Sequence, residues 1–286
     1  MRSRLAGATP ALRDPNPYMF GDHETDRARL DTQARLFGTF LRHRARDLAG
    51  PQIRHILDLG CGEGQLGQTL LQVYPDATLL GIDKDARAIA HAQERARGRG
   101  LSNATYLSGD LTETWPAGVF DLIHCSLILL HLRRPEETVR RAYTALAPGG
   151  YLWIKELHPS IEHALITPAY RQLMGWTYAA MARIGAHPYL AQELPAVLPA
   201  AGFTELRTEI EEYPLGGQTA AGRAMLGVLL AVPYNARALL AQVHGVPEST
   251  VLALTEQASA WARSRPEQVG TLRVVNLIAR RPATDA

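Results

Sequence analysis

The stretch Ile56-Leu57-Asp58-Leu59-Gly60-Cys61-Gly62-Glu63-Gly64 decides the fold of this chain. A short apolar run leads into an acidic residue and then three glycines at alternate positions. Because glycine tolerates positive φ and lets a ligand lie against bare backbone, the run predicts a buried strand that enters a tight loop. Apolar residues recur at helical spacing over residues 66–73, so a helix follows the loop. A strand, a glycine loop and a helix N-terminus together predict a nucleotide-sized binding site with free backbone N–H groups.

Two classes of ligand fit this glycine loop. Read from Gly62, the residues are G-x-G-x-x-G, the fingerprint of dinucleotide-binding proteins. Read from Asp58, the same residues are D-x-G-x-G-x-G. The next strand ends at Asp83, about twenty residues further on, where a carboxylate can accept hydrogen bonds from the ribose hydroxyls of either ligand. The loop and Asp83 therefore predict a nucleoside-containing cofactor without choosing between the two classes.

Three later segments separate the two classes. They are a strand that ends in Gly109-Asp110-Leu111, an apolar strand from Val119 to Ser126, and the turn Ala147-Pro148-Gly149-Gly150, which opens a strand ending at Glu156. With the glycine loop, in this order and spacing, residues 53–157 resemble the class I S-adenosylmethionine (SAM)-dependent methyltransferases. The resemblance implies SAM as cofactor and S-adenosylhomocysteine (SAH) as product. A dehydrogenase is the minor alternative.

The pattern of strands and the resemblance together give the expected fold. Strands and helices alternate from Ile53 to Glu156, which predicts an α/β protein with helices on both faces of a parallel sheet. The resemblance implies a seven-stranded, mostly parallel, doubly wound sheet in the order 3-2-1-4-5-7-6, with the seventh strand antiparallel. The sixth strand follows Gly202. Its alternation of Leu206, Thr208 and Ile210 with charged residues predicts an edge strand whose charged face, including Glu209 and Glu211, is wet.

The remaining segments are expected to cover this sheet. Residues 1–50 are interpreted as an N-terminal tail and a lid helix, and residues 51–286 as the SAM-binding domain. Helical cap inserts are expected at about 160–200 and 215–264. Their large side chains would either roof an acceptor pocket or form the core of the cap: Tyr170, Met174, Trp176, Tyr178 and Met225.

The resemblance also implies which residues contact the cofactor. In this family the glycine loop and the ends of the first four strands surround SAM, the third of them near adenine. The first helix closes over the methionine end, where Arg29 could pair with the carboxylate and Tyr18 could approach the methyl; otherwise this is an ordinary amphipathic helix. Carried over to this sequence, the cofactor-binding positions are Tyr18, Arg29, Asp58, Gly60, Cys61, Gly62, Asp83, Lys84, Asp110, Leu111 and Ser126.

His131 and Glu156 are the predicted catalytic residues. The methyl of SAM is already activated, so a general base is needed only if the acceptor is protonated. His131 follows the fourth strand, near where the methyl should point, and a neutral imidazole can take a proton near pH 7. Glu156 would orient it, as a carboxylate orients the imidazole of a triad. The alternative is that His131 caps the next helix or packs under the lid. His158 is expected to contact substrate or to form a turn.

Composition limits the other classes of function. The 286 residues carry a formal net charge of only +2, so nothing favours a nucleic-acid partner. Cys61 and Cys125 have no metal-binding or disulfide spacing, so no metal is expected and a reducing cytoplasm is the simplest compartment. The longest apolar run, from Met225 to Val232, is too short to span a bilayer, so no membrane partner is expected.

The sequence thus predicts a cytoplasmic SAM-dependent methyltransferase that acts on a small-molecule metabolite of secondary metabolism. The expected mechanism is SN2 transfer by proximity, with a histidine base where one is needed. The expected acceptor is apolar or aromatic, and its accepting atom (C, N or O) stays open. A methyltransferase acting on RNA or protein is the alternative enzyme, and a SAM-binding scaffold is the non-enzyme alternative. A homodimer would be compatible with each.

Overall fold

The computed structural model describes residues 24–48, 53–113, 115–160, 164–165, 167–265 and 267–283. The strands are β1 (His55–Leu59), β2 (Thr78–Asp83), β3 (Ala104–Ser108), β4 (Phe120–Ser126), β5 (Leu146–Leu157), β6 (Thr204–Gly216) and β7 (Gln268–Arg280). The α-helices are α1 (Glu24–Ala45), α2 (Gln65–Val73), α3 (Ala86–Gly98), α4 (Pro135–Ala145), α5 (Pro168–Arg183), α6 (Leu190–Ala200), α7 (Ala220–Asn235), α8 (Arg237–His244) and α9 (Glu248–Arg263).

The seven strands form one sheet in the order β3-β2-β1-β4-β5-β7-β6. Neighbours from β3 to β5 pair in parallel, whereas β7 runs antiparallel to both β5 and β6. The predicted order and the antiparallel seventh strand are both confirmed. A dinucleotide-binding sheet has the order 3-2-1-4-5-6, so an antiparallel strand between the fifth and sixth positions argues against the dehydrogenase alternative. Strand order reverses beside β1, and the binding crevice of such sheets lies at that point.

Helix α1 packs against the sheet in this structure, and the interpretation of residues 1–50 as a tail and a lid helix stays a prediction, with residues 1–23 outside the described part of the chain. Phe37, Leu41 and Ala45 are all at most 1% exposed. The ring of Phe37 lies 4.3 Å from Nζ of Lys155 on β5. Swinging the helix outward would expose these side chains to water, at about 25 cal/mol for each Å² of apolar surface.

Strand β6 is the edge strand that the sequence predicts, but the face expected to be exposed to solvent is the buried one at Glu211. Glu211 is only 6% exposed, whereas Ile210 is 52% exposed. The register with β7 shifts between Thr204 and Arg207, and Glu205 within this bulge has φ = 49°. Glu211 is held on the buried face by its ion pair with Lys155 of β5.

The cap helices have their own apolar core. Tyr170, Met174 and Met225 are at most 1% exposed, and the mostly buried Tyr178 packs edge-to-face against Tyr189. Trp176 is partly buried and stacks on His244, with ring centroids 5.0 Å apart. Tyr170, Met174 and Met225 therefore form the core of the cap, as the second of the two interpretations has it, whereas Tyr178 also lines a cleft of about 390 Å³ with His187 and Tyr189.

Among the helices that the structure describes, none alone has both the length and the apolarity to cross a bilayer, and α7 and α8, which meet at a bend of 49°, satisfy the two criteria only jointly.

Candidate active site

The glycine loop has the conformation that its sequence predicts. Gly60, Gly62 and Gly64 have φ values of 63°, 52° and 78°, in the left-handed region that glycine occupies readily. A Cβ at Gly64 would lie 2.7 Å from the hydroxyl of Tyr106, so a side chain there would clash. A Cβ at Gly62 would meet no atom within 4 Å. The backbone at Gly62 is therefore open to close approach by a ligand, as SAM binding to this loop requires.

Asp83 holds the open part of the loop. Its Oδ2 accepts a hydrogen bond from the Gly62 amide at 2.8 Å, and its Oδ1 accepts one from the Asp85 amide at 2.9 Å. Burial raises the pKa of Asp83, and the two amides oppose that rise. Each carboxylate oxygen has a second lone pair, so Asp83 can also accept from ribose hydroxyls. The loop and Asp83 fit a nucleoside cofactor.

Asp83→Ala is expected to weaken SAH binding by about 1–3 kcal/mol, because it removes both the ribose acceptor and the bond that holds Gly62. Isothermal titration calorimetry measures the loss. Asp76→Ala is the matched control, because that aspartate lies on the loop before β2 and its side chain is 81% exposed. Equal SAH affinities in the wild type and the Asp83 variant would remove Asp83 from the cofactor site.

Asp58 and His124 form a buried pair beneath the loop. Nδ1 of His124 lies 2.8 Å from Oδ1 of Asp58, and both side chains are at most 4% exposed. A Cβ at Gly67 on α2 would lie 2.8 Å from Oδ2 of Asp58. Asp58 therefore joins β1 to β4 and supports the start of α2 from below, whereas the sequence assigned it to the cofactor. The sequence missed His124 because its partner lies 66 residues away.

The remaining cofactor positions lie at the carboxyl ends of their strands or just beyond. Oδ1 of Asp110 accepts from the amide and hydroxyl of Thr112, at 2.8 and 2.7 Å. No residue in the described part of the chain bonds to its Oδ2, which is where an adenine amino group would donate. Leu111 and Cys61 are buried, Ser126 is partly buried and Lys84 is exposed. Tyr18 lies outside the described residues.

Ion pairs that no sequence motif indicates join helix α1 to the glycine loop. Glu63 of the loop lies 2.6 Å from Arg27 of α1 and 2.9 Å from Arg95 of α3. Arg29, predicted to hold the carboxylate of SAM, pairs with Asp26 at 2.7 Å. Asp26 also accepts from Asn235 of α7 at 3.0 Å. The pair links α1 to the cap, so in this structure part of the Arg29 guanidinium is already engaged.

The segment after β4 carries His131 and packs directly on the glycine loop. Leu127 has φ = 53°, a conformation that bulky residues rarely adopt and that often marks a functional site. A Cβ at Gly60 would lie 2.5 Å from Ile128, so only glycine lets the loop and this segment meet. A 3₁₀ turn, Leu129–His131, follows. The turn therefore places His131 three residues after Ile128, which contacts Gly60 of the glycine loop.

The imidazole of His131 is suited to act as a base. Burial, reinforced by the charges of Arg29 and Lys84, lowers its pKa from 6.5 to about 4. At neutral pH the ring is therefore uncharged, which is the form that accepts a proton.

Glu156 supports the turn and does not orient the imidazole as the sequence predicted. The carboxyl group is buried, and its Oε1 accepts from the Leu130 amide at 3.2 Å. Its Oε2 has no hydrogen-bond partner among the described residues. Burial raises the pKa of Glu156 from 4.5 to about 8, so the group is mostly protonated at neutral pH. A neutral carboxyl group is the expected state for a buried acid without a cation beside it.

Glu156→Gln is expected to remove a pH dependence of stability. Between pH 4.5 and about 8 the folded state keeps a proton that the unfolded state releases. The wild-type free energy of unfolding therefore falls as pH rises, by up to about 1.4 kcal/mol for each pH unit. Glutamine keeps the acceptor for the Leu130 amide and cannot titrate, so the stability of the Glu156→Gln variant relative to wild type should increase between pH 5 and 8.

Urea denaturation at several pH values measures this difference, and Glu94→Gln, at an exposed position, is the control. Parallel curves for wild type and Glu156→Gln would mean that Glu156 is ionised in the fold.

Several known methyltransferases are similar to this chain in sequence. The family model described as "Methyltransferase domain" matches residues 54–191. The ribosomal RNA large subunit methyltransferase G of Streptomyces avermitilis is 32% identical over 176 residues, which are 54% of this chain and 46% of that protein. The chain spans about half the length of several of the first curated relatives it matches. The crystal structure of the [4+2]-cyclase SpnF has a TM-score of 0.55 and 22% identity, with 85% of this chain and 81% of that one covered.

One relative is matched over most of its length. The demethylmenaquinone methyltransferase of Thermus thermophilus is 32% identical over 187 residues, which are 59% of this chain and 84% of that protein. Because this relative is 32% identical and matched over 84% of its length, because the methyltransferase-domain model covers the glycine loop, and because the sheet has the expected strand order, this chain belongs to the class I SAM-dependent methyltransferase family.

Proposed function

We propose that this protein transfers the methyl group of SAM to a small-molecule acceptor that binds beside His131. The observation that carries the proposal is the contact between Gly60 and Ile128, because it sets the His131 turn against the loop that would hold the cofactor. When bound, SAM supplies an activated sulfonium methyl. Gly62 and Asp83 would hold its nucleoside part, and the neutral His131 would take a proton from an acceptor that carries one.

The surroundings of the turn favour a small acceptor. The His187 amide, between α5 and α6, donates to the Leu130 carbonyl at 2.7 Å, and the His187 ring lies 3.2 Å from the Arg133 carbonyl. His187 of the cap thus contacts the backbone just before and just after His131, and a cap so close to the turn would hinder a folded RNA or protein. Such enclosure also keeps water away from the methyl group. Cys61 and Cys125 are free and buried, as suits a reducing compartment such as the cytoplasm.

The packing of the cap also bears on the chemical class of the acceptor. The predicted roof residues Tyr170, Met174 and Met225 are core, so they give no support for an aromatic acceptor. The positive charges of Arg29 and Lys84 act through space on His131. We propose that the acceptor is a metabolite with a polar or anionic group beside the accepting atom. Secondary metabolism remains our proposal for its origin.

Two measurements test the proposed function. Calorimetry should detect SAH binding and no NAD binding, and tight NAD binding without SAH binding would overturn the family-based assignment of the cofactor. The enzyme with SAM and a panel of carboxylate, phenol and amine metabolites should then release SAH. Fold alone does not establish the reaction, since a structural neighbour is a [4+2]-cyclase. SAH binding with no turnover on any of the panel or on RNA would favour the scaffold alternative, and turnover on RNA alone would favour the RNA methyltransferase.

A further inference from the structure

A groove of about 660 Å³ crosses the outer surface of helices α1, α2 and α3. We call it the arginine groove, because Arg35 and Arg42 line it from α1, and Arg95 and Arg99 line it from α3. It lies on the helical layer and not at the His131 turn, so it is separate from the proposed acceptor site. Nothing in the proposed methyl transfer uses it.

Three of the four arginines have no counter-charge among the residues that the structure describes. Arg35 donates to the Thr32 hydroxyl at 3.1 Å, and Arg99 donates to Gln68 at 3.1 Å. Arg42 donates to a threonine hydroxyl at 3.4 Å. None of the three forms an ion pair with any residue that the structure describes. Three guanidinium groups on one groove repel each other in the empty protein, and a bound anion would relieve that repulsion.

The fourth arginine and the acid of the groove neutralise one another. Arg95 lies 3.0 Å from Asp31 and 2.9 Å from Glu63. Asp31 also accepts from Gln65 at 2.6 Å. Because Asp31 is already engaged by two donors, it leaves the positive charge of Arg35, Arg42 and Arg99 uncompensated.

The floor of the groove is polar and has no aromatic residue. Gln65, Thr69 and Gln72 line it at helical spacing along one face of α2. A Cβ at Gly38 of α1 would lie 3.5 Å from the Thr69 hydroxyl, so α1 and α2 approach closely along the floor. Single-stranded nucleic acids bind by stacking bases on aromatic rings, and no ring lines this groove. The groove instead combines arginine forks with amide and hydroxyl groups, which suits phosphate or carboxylate oxygens.

The dimensions of the groove fit a small molecule. The floor from Gln65 to Gln72 spans seven residues of helix, which is about 10 Å at 1.5 Å per residue. Its volume lies within the range of about 300–1,000 Å³ found for small-ligand sites. We propose that the arginine groove binds a small multivalent anion, with two or more phosphate or carboxylate groups held by Arg35, Arg42 and Arg99.

Calorimetry with the full chain at constant ionic strength tests this site, with sodium tripolyphosphate and citrate as probes. At least one probe should bind at one per chain, and the tighter probe identifies the anion as phosphate or carboxylate. Arg35→Gln and Arg99→Gln, both exposed positions, should each weaken that binding by about tenfold or more. Arg207→Gln is the matched control, because Arg207 is exposed on β6, away from the groove. Thermal melting of each variant checks folding, and Arg42→Gln serves if either of the first two does not fold.

Several results would overturn the proposal. One is the absence of saturable binding by both probes in the wild type. Another is an equal loss of affinity in Arg207→Gln, which would mean a general charge effect. A third is binding of a short single-stranded RNA through Arg35 and Arg99 when neither small probe binds. None of these measurements depends on methyl transfer, so the site and the proposed function fail or stand separately.

Discussion

Replacing His131 by alanine is expected to lower kcat about 10²–10⁴-fold on an acceptor that must lose a proton, with little change in SAH affinity. The imidazole is neutral at working pH because burial and the charges of Arg29 and Lys84 lower its pKa to about 4. Alanine removes the proton acceptor but leaves the turn, since the Leu130 amide still bonds to Glu156. Steady-state kinetics and SAH calorimetry on the same preparation separate the two effects.

The matched control for His131 is His55→Ala. His55 is an exposed histidine at the start of β1, at the end of the strand opposite the glycine loop, and its ring bonds to Thr78. Its kcat should equal that of the wild type. Wild-type turnover in His131→Ala would leave proximity as the whole mechanism.

The pH profile gives a second measurement on His131. A histidine with an ordinary pKa of 6.5 would lose its base form below that pH, so activity would fall from pH 7 to 6. The lowered pKa of His131 keeps the ring unprotonated down to about pH 4. The acid limb of kcat/KM should therefore lie near pH 4–5, or as low as the fold remains stable. An acid limb at pH 6.5 that is absent from the His131 variant would mean that the ring is more solvated than in this structure.

The parts of the site that the sequence predicted well rest on local signals. The glycine loop, the acid at the end of β2 and the Pro-Gly-Gly turn are each fixed by a few neighbouring residues, because positive φ and strand ends leave marks in the sequence. The spacing of a β-α-β unit was enough to place Asp83 beside the loop, and its bond to the Gly62 amide is seen only in the structure. The complete strand order needed more, since it came from resemblance to a family and not from periodicity.

The predictions that failed all depend on contacts between distant residues. The face of β6 that was expected to be wet is buried at Glu211, because this carboxylate pairs with Lys155 of β5, 56 residues away in the chain. Glu156 was paired with His131 from their position at neighbouring strand ends, but its carboxyl group reaches the backbone of Leu130. The lid role of α1 stays a prediction, because amphipathic spacing suits both a permanently packed helix and one that opens.

The polar network beneath α1 is the largest feature that the sequence did not suggest, and it carries the second large prediction. Nζ of Lys155 lies 2.6 Å from Oε2 of Glu211, and both side chains are buried. Asn276 donates to the same oxygen at 3.2 Å, and the Tyr213 hydroxyl bonds to Oε1. Burial lowers the pKa of Lys155, and the carboxylate beside it opposes that change. Phe37 of α1 covers the ammonium group.

Lys155→Met is therefore expected to lower the free energy of unfolding at pH 7 by about 3–5 kcal/mol, because methionine fills the space but leaves the Glu211 carboxylate buried without its cation. Urea denaturation measures the change. Lys84→Met replaces the only other lysine, which is exposed, and should change stability by less than about 0.5 kcal/mol. Comparing the stabilities of Lys155→Met and Lys84→Met therefore separates the loss of the buried ion pair from the loss of one exposed positive charge.

Restoring the charge balance should restore most of the stability. The double variant Lys155→Met, Glu211→Gln has no charge at either of these two buried positions, and the new amide can still bond to Tyr213 and Asn276. It should therefore be more stable than Lys155→Met alone. The single variant should also gain stability as pH falls, because its folded state takes up a proton on Glu211 before the unfolded state does. A double variant as unstable as Lys155→Met would show that the lysine acts through packing against Phe37 and not through its charge. In that case α1 would be held to the sheet by apolar contact alone.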